Sequence, residues 1–175
     1  MRGLLFTVAC IYTLSFLVGQ LMMHMQEPSV VEFTKLLIED LSESPTLNPI
    51  LGALMTGDVA VAVALTFLVN LMLGAFLSTT LIGAVPILGG VGVGAISAVR
   101  GFVVGATYYY VFGVSVAYTI VAVGTALLEL GAYVFSGAAG INISLSTIFP
   151  RRYNVDSRWI AFKEAWKDAG RIYVV

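Results

Sequence analysis

Two charged residues lie alone in the most apolar part of the chain, and their chemistry is the first question that the sequence raises. Arg100 and Glu129 are the only charged residues between positions 59 and 150. An ionisable side chain at membrane depth is costly, and it is usually paired or functional. Two interpretations therefore stay open: a structural arginine, paired with Glu129 or extended to the membrane surface, or a proton or ion site at Glu129. The candidate polar neighbours of Glu129 lie in one upstream apolar segment: Asn70, Ser78, Thr79 and Thr80.

No other arrangement of residues indicates catalysis or metal binding. The chain has one histidine, His24, and one cysteine, Cys10, so one chain forms neither a disulfide nor a thiolate metal site. Neither a Ser–His–Asp set nor a pair of carboxylates is present. We expect His24 to be an interfacial residue rather than a metal ligand. The sequence therefore predicts no enzyme, no cofactor and no metal.

The composition places Arg100 and Glu129 in an integral membrane protein. Of 175 residues, 59% are apolar and 11% are charged, and the mean hydropathy is +0.96. An average soluble protein has about 25% charged residues. The net charge of −1 provides no basic field for a nucleic acid. These values exclude a disordered chain, a soluble domain and a nucleic-acid-binding protein, and they favour a single integral membrane domain over residues 1–175.

The remaining charges divide the chain into spans and aqueous segments. A crossing needs about 20 apolar residues. Lys and Arg residues remain on the cytoplasmic side, and residues 151–171 hold six of them, whereas 27–58 hold only Lys35. We therefore expect the N-terminus and residues 151–171 in the cytoplasm, with three crossings between 58 and 151. The first apolar run is too long for a signal peptide and indicates an uncleaved anchor. The predicted spans in this all-α bundle of the cell membrane are 3–23, 60–83, 95–112 and 116–138.

The segment after the first span is predicted to contain an amphipathic helix over residues 29–42, along the outer membrane face. Ser29 and Glu32, which follow Pro28, have the spacing of a capping box. Apolar residues then recur at helical spacing, opposite a mostly acidic face. This helix either packs on the bundle or on lipid, or it docks an extracytoplasmic partner.

A second amphipathic helix is predicted over residues 156–169. Asp156 or Ser157 is a suitable N-cap, and Gly170 suits the C-terminal cap. Tryptophans beside lysines are typical of the inner interface of an anionic lipid leaflet, and a cytosolic protein partner is the alternative. The aromatic stripe and the basic face of this helix include Trp159, Phe162, Lys163, Trp166 and Lys167.

Small residues indicate where helices approach each other. The pairs Gly101–Gly105 and Ser136–Gly140 are spaced four residues apart, which lets membrane helices pack closely. We expect packing within the chain, and a homo-oligomer interface is the alternative. The glycine-rich stretch 88–94, which ends at Gly94, lacks the spacing of a phosphate-binding loop. It predicts a tight turn or a re-entrant segment buried in protein.

The residues around Glu129 resemble the core of the stage II sporulation protein M family. The resemblance rests on Glu129-Leu-Gly-Ala132 followed by Ser136-Gly-Ala-Ala-Gly140, because that family has an intramembrane glutamate, small residues and an alanine- and glycine-rich turn. The stretch from Phe162 to Arg171 is similar to the family's segment before its last span. The resemblance covers roughly residues 65–171 and also includes Asn70, Gly94, Arg100 and Gly101.

The resemblance implies a multi-pass membrane protein without known catalysis, whose fold is built around Glu129. Sporulating members of the family anchor a peptidoglycan-remodelling complex in the membrane. Members usually have a fifth span, of which residues 171–175 read as the first turn. Two departures stand out: Arg100 replaces the usual asparagine, and Thr125-Ala126 replaces a Pro-His or His-Gly pair of many members.

Two functional hypotheses follow, from different classes. The first is a non-enzymatic scaffold that anchors a larger membrane complex through protein partners. The alternative is a small ion or solute transporter, or a permease subunit, that uses Glu129 as its intramembrane site. An intramembrane hydrolase is a third possibility, which the missing nucleophile–base set disfavours. A cavity that reaches Glu129 would favour transport, whereas a closed pair with Arg100 would favour the scaffold.

Overall fold

The computed structural model describes residues 1–112 and 116–174, and within these ranges the chain is helical and contains no β-strand. Four helices in these ranges are long and apolar enough to cross a membrane, so the predicted all-α bundle with four spans is confirmed. The turn expected between the third and fourth spans, at 113–115, lies outside the described residues. Val175 and the side chains at 54 and 111–127, which include Thr125 and Ala126, also lie outside them.

Seven α-helices follow one another in the described ranges. The fourth continues directly as a π-helix over Asn70–Leu81, and a short 3-10 turn over Pro150–Tyr153 precedes the last. The α-helices are α1 (Arg2–His24), α2 (Pro28–Glu43), α3 (Asn48–Met55), α4 (Val59–Val69), α5 (Gly89–Phe112), α6 (Val116–Ile148) and α7 (Arg158–Val174).

Helices α1 and α5 run parallel and pack closely, because glycines occupy their contact. A Cβ atom on Gly101 would lie 2.7 Å from the carbonyl oxygen of Tyr12, and one on Gly105 would overlap the carbonyl group of Phe16. Gly19 of α1 lies equally close to the backbone of α5. Small residues thus allow backbone-to-backbone contact, and the Gly101–Gly105 pair packs within the chain.

Helix α6 packs in the same way on the π-helical segment. A Cβ atom on Gly140 would lie 2.7 Å from the carbonyl oxygen of Thr80 and 2.9 Å from the Cα of Gly83. Ser136 is buried, and its carbonyl oxygen accepts a hydrogen bond of 3.0 Å from the Thr80 hydroxyl. The second small pair therefore also packs within the chain.

Helix α7 folds back along the last turns of α6. Its buried face consists of alanines at every fourth position, Ala161, Ala165 and Ala169. Beyond them, the Tyr173 hydroxyl forms a hydrogen bond with Thr80 of the π-helix. The small alanine side chains let α7 lie close to α6, and Tyr173 ties its end to the spanning bundle.

Two predicted span boundaries are wrong. Helix α5 begins at Gly89 rather than at residue 95, so the expected tight turn or re-entrant segment over 88–94 is helical up to Gly94, and the chain turns at 84–88. Helix α6 continues to Ile148 instead of ending at 138, so the alanine- and glycine-rich turn that the resemblance implied is a helix. A helix satisfies its own backbone polar groups, and these small residues are held in it by neighbouring helices.

The first predicted amphipathic helix, α2, agrees with the predicted range to within one residue at each end, but its capping box does not form. The N-cap is Glu27, and the Ser29 hydroxyl donates to Glu27 Oε1 at 3.2 Å. Pro28 at the first helical position starts the helix earlier, so Ser29 lies inside it. Helix α3 was not predicted, because Pro49 reads as a breaker although a first turn tolerates proline.

The second predicted amphipathic helix, α7, is longer than its predicted range. Ser157 caps it as expected, since Ser157 Oγ accepts a bond of 3.4 Å from the backbone nitrogen of Ile160. Gly170 does not end the helix, which continues to Val174. Residues 171–174 therefore belong to α7 and do not begin a separate helix. Packing of Tyr173 on the bundle explains the extension past glycine.

Candidate functional site

Neutral groups from two other helices hold the guanidinium of Arg100 in α5. Its Nη2 donates to the hydroxyl of Ser78 at 2.6 Å. Its Nη1 lies 3.0 Å from Thr79 Oγ1, 3.3 Å from the carbonyl oxygen of Gly74 and 3.5 Å from the Tyr12 hydroxyl. Hydrogen bonds to several dipoles stabilise a charged group in a medium of low dielectric constant. Arg100 is therefore held in place without a carboxylate.

The π-helix supplies three of these four acceptors: Gly74, Ser78 and Thr79. The hydroxyls of Ser78 and Thr79 both donate to the carbonyl oxygen of Gly74, at 2.8 and 2.7 Å. A hydroxyl has one proton and two lone pairs, so each hydroxyl that donates to the backbone presents lone pairs to Arg100. The wider turn of a π-helix places residues five positions apart in contact, and such turns are frequent at functional sites.

Tyr133 lies between Arg100 and Glu129. The guanidinium carbon of Arg100 is 4.2 Å from the centroid of the Tyr133 ring. The Tyr133 hydroxyl lies 3.1 Å from Glu129 Oε1 and 3.2 Å from Asn70 Oδ1. Gly74 makes room for this ring, because a Cβ atom there would lie 2.6 Å from the Tyr133 hydroxyl. The tyrosine thus connects the two charged residues and also keeps them apart.

The Arg100–Glu129 ion pair, one of the interpretations that the sequence left open, does not form. Within the described residues, the pairs with a nitrogen–oxygen distance up to 4.0 Å all lie after residue 150: Arg151–Asp156, Lys167–Glu164 and Arg171–Asp168. The ring of Tyr133 occupies the space that a direct contact would need. Glu129 therefore has no ion-pair partner in the described part of the chain, and the residues outside it contain no Lys, Arg or His.

Glu129 lines a cavity of about 530 Å³ between α4 with its π-helical continuation, α6 and, through Ile50, the short helix α3. The cavity opens to the surface of the bundle, since two of its lining residues are exposed, Leu128 at 81% and Phe67 at 62%. The lining is mostly apolar, and Glu129 is the one charged residue among the lining residues that the structure describes. The lining residues are Ile50, Ala62, Val63, Thr66, Phe67, Asn70, Leu71, Ala75, Leu128, Glu129, Ala132 and Tyr133.

The structure separates the polar neighbours that the sequence assigned to Glu129. Asn70 lies near it through the shared Tyr133 hydroxyl. Ser78 and Thr79 instead contact Arg100, and Thr80 contacts Ser136 and Tyr173. Among the described residues, no group of three or more His, Cys, Asp or Glu side chains is placed to hold a metal ion.

The predicted aromatic stripe of α7 is divided between the bundle and the surface. Phe162 and Trp166 pack against the buried alanines, and Trp166 contacts Phe76 of the π-helix. Trp159 is exposed, and the Lys163 ammonium lies 5.0 Å from its ring centroid. Lys167 forms an ion pair of 2.6 Å with Glu164. Only the first turns of α7 therefore present an aromatic and basic surface.

Sequence reasoning missed Tyr133, the residue that connects the site. The sequence carried a usable signal, because Tyr133 follows Glu129 by four residues and side chains at that spacing lie on the same helix face. Tyr12 was also missed, although it is buried and its ring stacks at 6.3 Å on that of Tyr133. Nothing in a run of apolar residues identifies which tyrosine faces a distant arginine.

The fold and site define a multi-pass helical membrane protein with an unpaired carboxylate on the wall of a cavity. Comparison of the chain with protein-family models, with curated proteins and with solved structures finds no match in any of the three. The resemblance to the stage II sporulation protein M family therefore stays a prediction.

Proposed function

We propose that this protein is a small transporter or permease subunit without enzymatic activity, and that Glu129 is its intramembrane site for a cation. One observation carries the proposal: Glu129 lines an accessible cavity, while Arg100 lies over the ring of Tyr133 and is not among the lining residues. An acid retained only to neutralise Arg100 would contact it. An intramembrane ionisable residue on a cavity is a candidate for an ion or substrate pathway.

The hydrogen bonds around Tyr133 support this role. Its hydroxyl has one proton, and two acceptors, Glu129 Oε1 and Asn70 Oδ1, lie at similar distances from it. Because one proton serves two acceptors, the Glu129 carboxylate keeps unused capacity to accept a hydrogen bond or a positive charge on its cavity side.

Flux measurements test the proposal. The full chain is reconstituted into vesicles as wild type, as Glu129→Gln and as Glu32→Gln, which removes an exposed carboxylate of α2 outside the spans. Fluxes of protons, Na⁺, K⁺ and methylammonium are followed under imposed gradients. We expect Glu129→Gln to lower at least one flux by about tenfold or more, because the site loses its charge, and Glu32→Gln to match wild type. Equal fluxes for all three proteins would exclude transport through Glu129.

The exposed side chains of α2 favour a second candidate function, a membrane scaffold. Leu36 and Phe33 are exposed on this helix outside the spans, among acidic residues, and such an amphipathic face suits a protein partner. A homo-oligomer is one such assembly. Affinity capture from native membranes after gentle solubilisation tests it, since a strictly solitary protein would count against the scaffold.

We further propose the orientation that the positive charges favour. The N-terminus and residues 151–171 lie in the cytoplasm of a cell whose plasma membrane holds the protein, and α2 lies outside. The parallel pairing of α1 with α5 is compatible with this orientation, because their C-terminal ends meet where His24 Nδ1 and the Tyr109 hydroxyl are 2.9 Å apart.

A further inference from the structure

We propose that the Glu129 cavity takes an amphipathic monocation, a ligand with an apolar body and a single positive head, which enters sideways from the lipid. This inference rests on the proposed function in one respect, that Glu129 is the binding group. It adds the chemical class of the ligand and the route of entry.

The lining of the cavity matches an apolar body. Eight of the twelve described lining residues have aliphatic or aromatic hydrocarbon side chains, and the other four are Thr66, Asn70, Glu129 and Tyr133. Its volume of about 530 Å³ lies within the range of about 300–1,000 Å³ typical of small-molecule sites. A small hydrated ion would leave most of this apolar surface without a contact.

The charge of the cavity matches a single positive head. Within the described lining, Glu129 is the one charged residue, and its Oε1 shares the Tyr133 hydroxyl with Asn70. Arg100 does not line the cavity, because four hydrogen-bond acceptors and the Tyr133 ring hold it behind that ring. An anionic ligand would face an uncompensated carboxylate, so the site discriminates by charge.

The oxygen atoms of the lining are too few for a divalent metal. Ca²⁺ and Mg²⁺ take about six or more oxygen ligands, whereas the described lining offers only those of Thr66, Asn70, Glu129 and Tyr133. The Thr66 hydroxyl already donates to the carbonyl oxygen of Ala62 at 2.9 Å. An organic cation needs one carboxylate and apolar walls, which this cavity provides.

The position of the opening determines the route. Leu128 of α6 and Val63 and Phe67 of α4 are exposed at the rim, and all three lie in helices that are long and apolar enough to span a membrane. A rim of this kind faces acyl chains rather than water. An amphipathic cation that has partitioned into the bilayer therefore reaches Glu129 between α4 and α6 without crossing an aqueous mouth.

A matched pair of ions tests the inference by equilibrium binding. Tetraphenylphosphonium and tetraphenylborate have the same shape and opposite charge. Both are titrated against the full chain in nanodiscs of phosphatidylcholine, which has no net charge. We expect saturable binding of the phosphonium to wild type and to Glu32→Gln, a loss of about tenfold or more in Glu129→Gln, and no saturable binding of the borate. Equal phosphonium affinity in wild type and Glu129→Gln, or equal competition by the borate, overturns the inference.

A cavity-filling variant keeps the test decisive if Glu129→Gln does not fold. Ala132 lines the cavity and is exposed, so Ala132→Phe occupies the space without disturbing buried packing. Phe135→Ala, at an exposed position of α6 outside the lining, is its control. We expect Ala132→Phe to abolish phosphonium binding and Phe135→Ala to retain it. Undiminished binding by folded Ala132→Phe overturns the inference.

The outcomes separate this inference from the proposed function. Phosphonium binding that needs Glu129, in a protein without any Glu129-dependent flux, supports the ligand class and excludes transport. Glu129-dependent flux of protons or metal ions without phosphonium binding supports transport and overturns the ligand class.

Discussion

Within an apolar bundle, the single aromatic residue Tyr133 contacts two side chains of opposite charge. Arg100 lies over the ring face at 4.2 Å, whereas Glu129 lies at the hydroxyl. The negative face of the ring attracts the cation, and the polar edge donates to the carboxylate. The two charges are therefore coupled through a neutral side chain, and Glu129 stays available to the cavity.

Double-mutant cycles measure this coupling. We expect the cycle of Arg100→Met with Tyr133→Leu to show a coupling free energy of about 0.5–2 kcal/mol, the range for cation–π pairs. The cycle of Arg100→Met with Glu129→Gln should show a smaller one, because no direct ion pair joins these residues. Unfolding free energies of the four proteins in each cycle, measured in mixed micelles, give both values. A larger coupling in the Arg100–Glu129 cycle would contradict the role of Tyr133.

At the scale of the helices, some glycines are needed for close packing because a Cβ atom would clash with a neighbouring helix, whereas others face open space. Gly105 of α5 lies against the backbone of α1, whereas a Cβ atom on Gly131 of α6 would meet nothing within 4 Å. The two positions thus form a matched pair for the same substitution. Sequence spacing alone separates them only in part, because Gly131 also lies among small residues.

Alanine substitutions should therefore have opposite effects. Gly105→Ala pushes a methyl group into the Phe16 carbonyl and should cost about 1–3 kcal/mol of stability, as overpacking does. Gly131→Ala should be neutral or stabilising by up to about 1 kcal/mol, because alanine is the better helix former. Thermal unfolding of the two variants in the same detergent provides the comparison. Equal destabilisation would show that the α1–α5 contact does not depend on Gly105.

Helix α7 is joined to α6 by a polar contact at the cytoplasmic end of the proposed topology. The Tyr153 hydroxyl donates to Asp168 Oδ2 at 3.1 Å and accepts from Asn142 Nδ2 at 2.6 Å. Burial raises the pKa of Tyr153 above its usual value, and the hydrogen bond to Asp168 acts in the same direction. The folded state therefore holds the phenolic proton more tightly than the unfolded state does.

This pKa shift predicts a loss of stability in alkali. The stabilisation is complete below the unfolded pKa of about 10 and is lost as pH rises through the higher folded pKa. Tyr153→Phe should lower stability at pH 8 by about 1 kcal/mol, the net value of a hydrogen bond, and should lose less of its remaining stability above pH 10. Fluorescence of Trp159 and Trp166, both in α7, reports the unfolding. Parallel pH profiles for the two proteins would contradict this assignment.

At the scale of the whole molecule, some features of the fold could be predicted from short segments of sequence, whereas others depend on contacts between distant helices. Four spans and two amphipathic helices follow from charge placement and helical periodicity, which are properties of short segments. The start of α5 was predicted too late, and the ends of α6 and α7 were predicted too early, because glycines and alanines that read as turns or caps instead continue the helices. The contacts between the π-helix at Asn70–Leu81 and the residues Arg100 and Tyr133 join positions that are 21 to 63 residues apart in the sequence. No pattern within a short segment could have predicted them.

The single cysteine of the chain allows a direct measurement of the orientation of the whole bundle in the membrane. Cys10→Ser removes the only thiol, after which a cysteine is introduced at Glu39 in α2 or at Arg151, whose side chain is 91% exposed. Because Lys and Arg favour the cytoplasmic side, a membrane-impermeant maleimide should label Glu39→Cys in intact cells and Arg151→Cys only after the membrane is opened. The reverse pattern would invert the proposed topology. Three of the four candidate spans lie between Glu39 and Arg151, so the two positions are expected on opposite sides of the membrane. Labelling of both in intact cells would contradict the four-span topology.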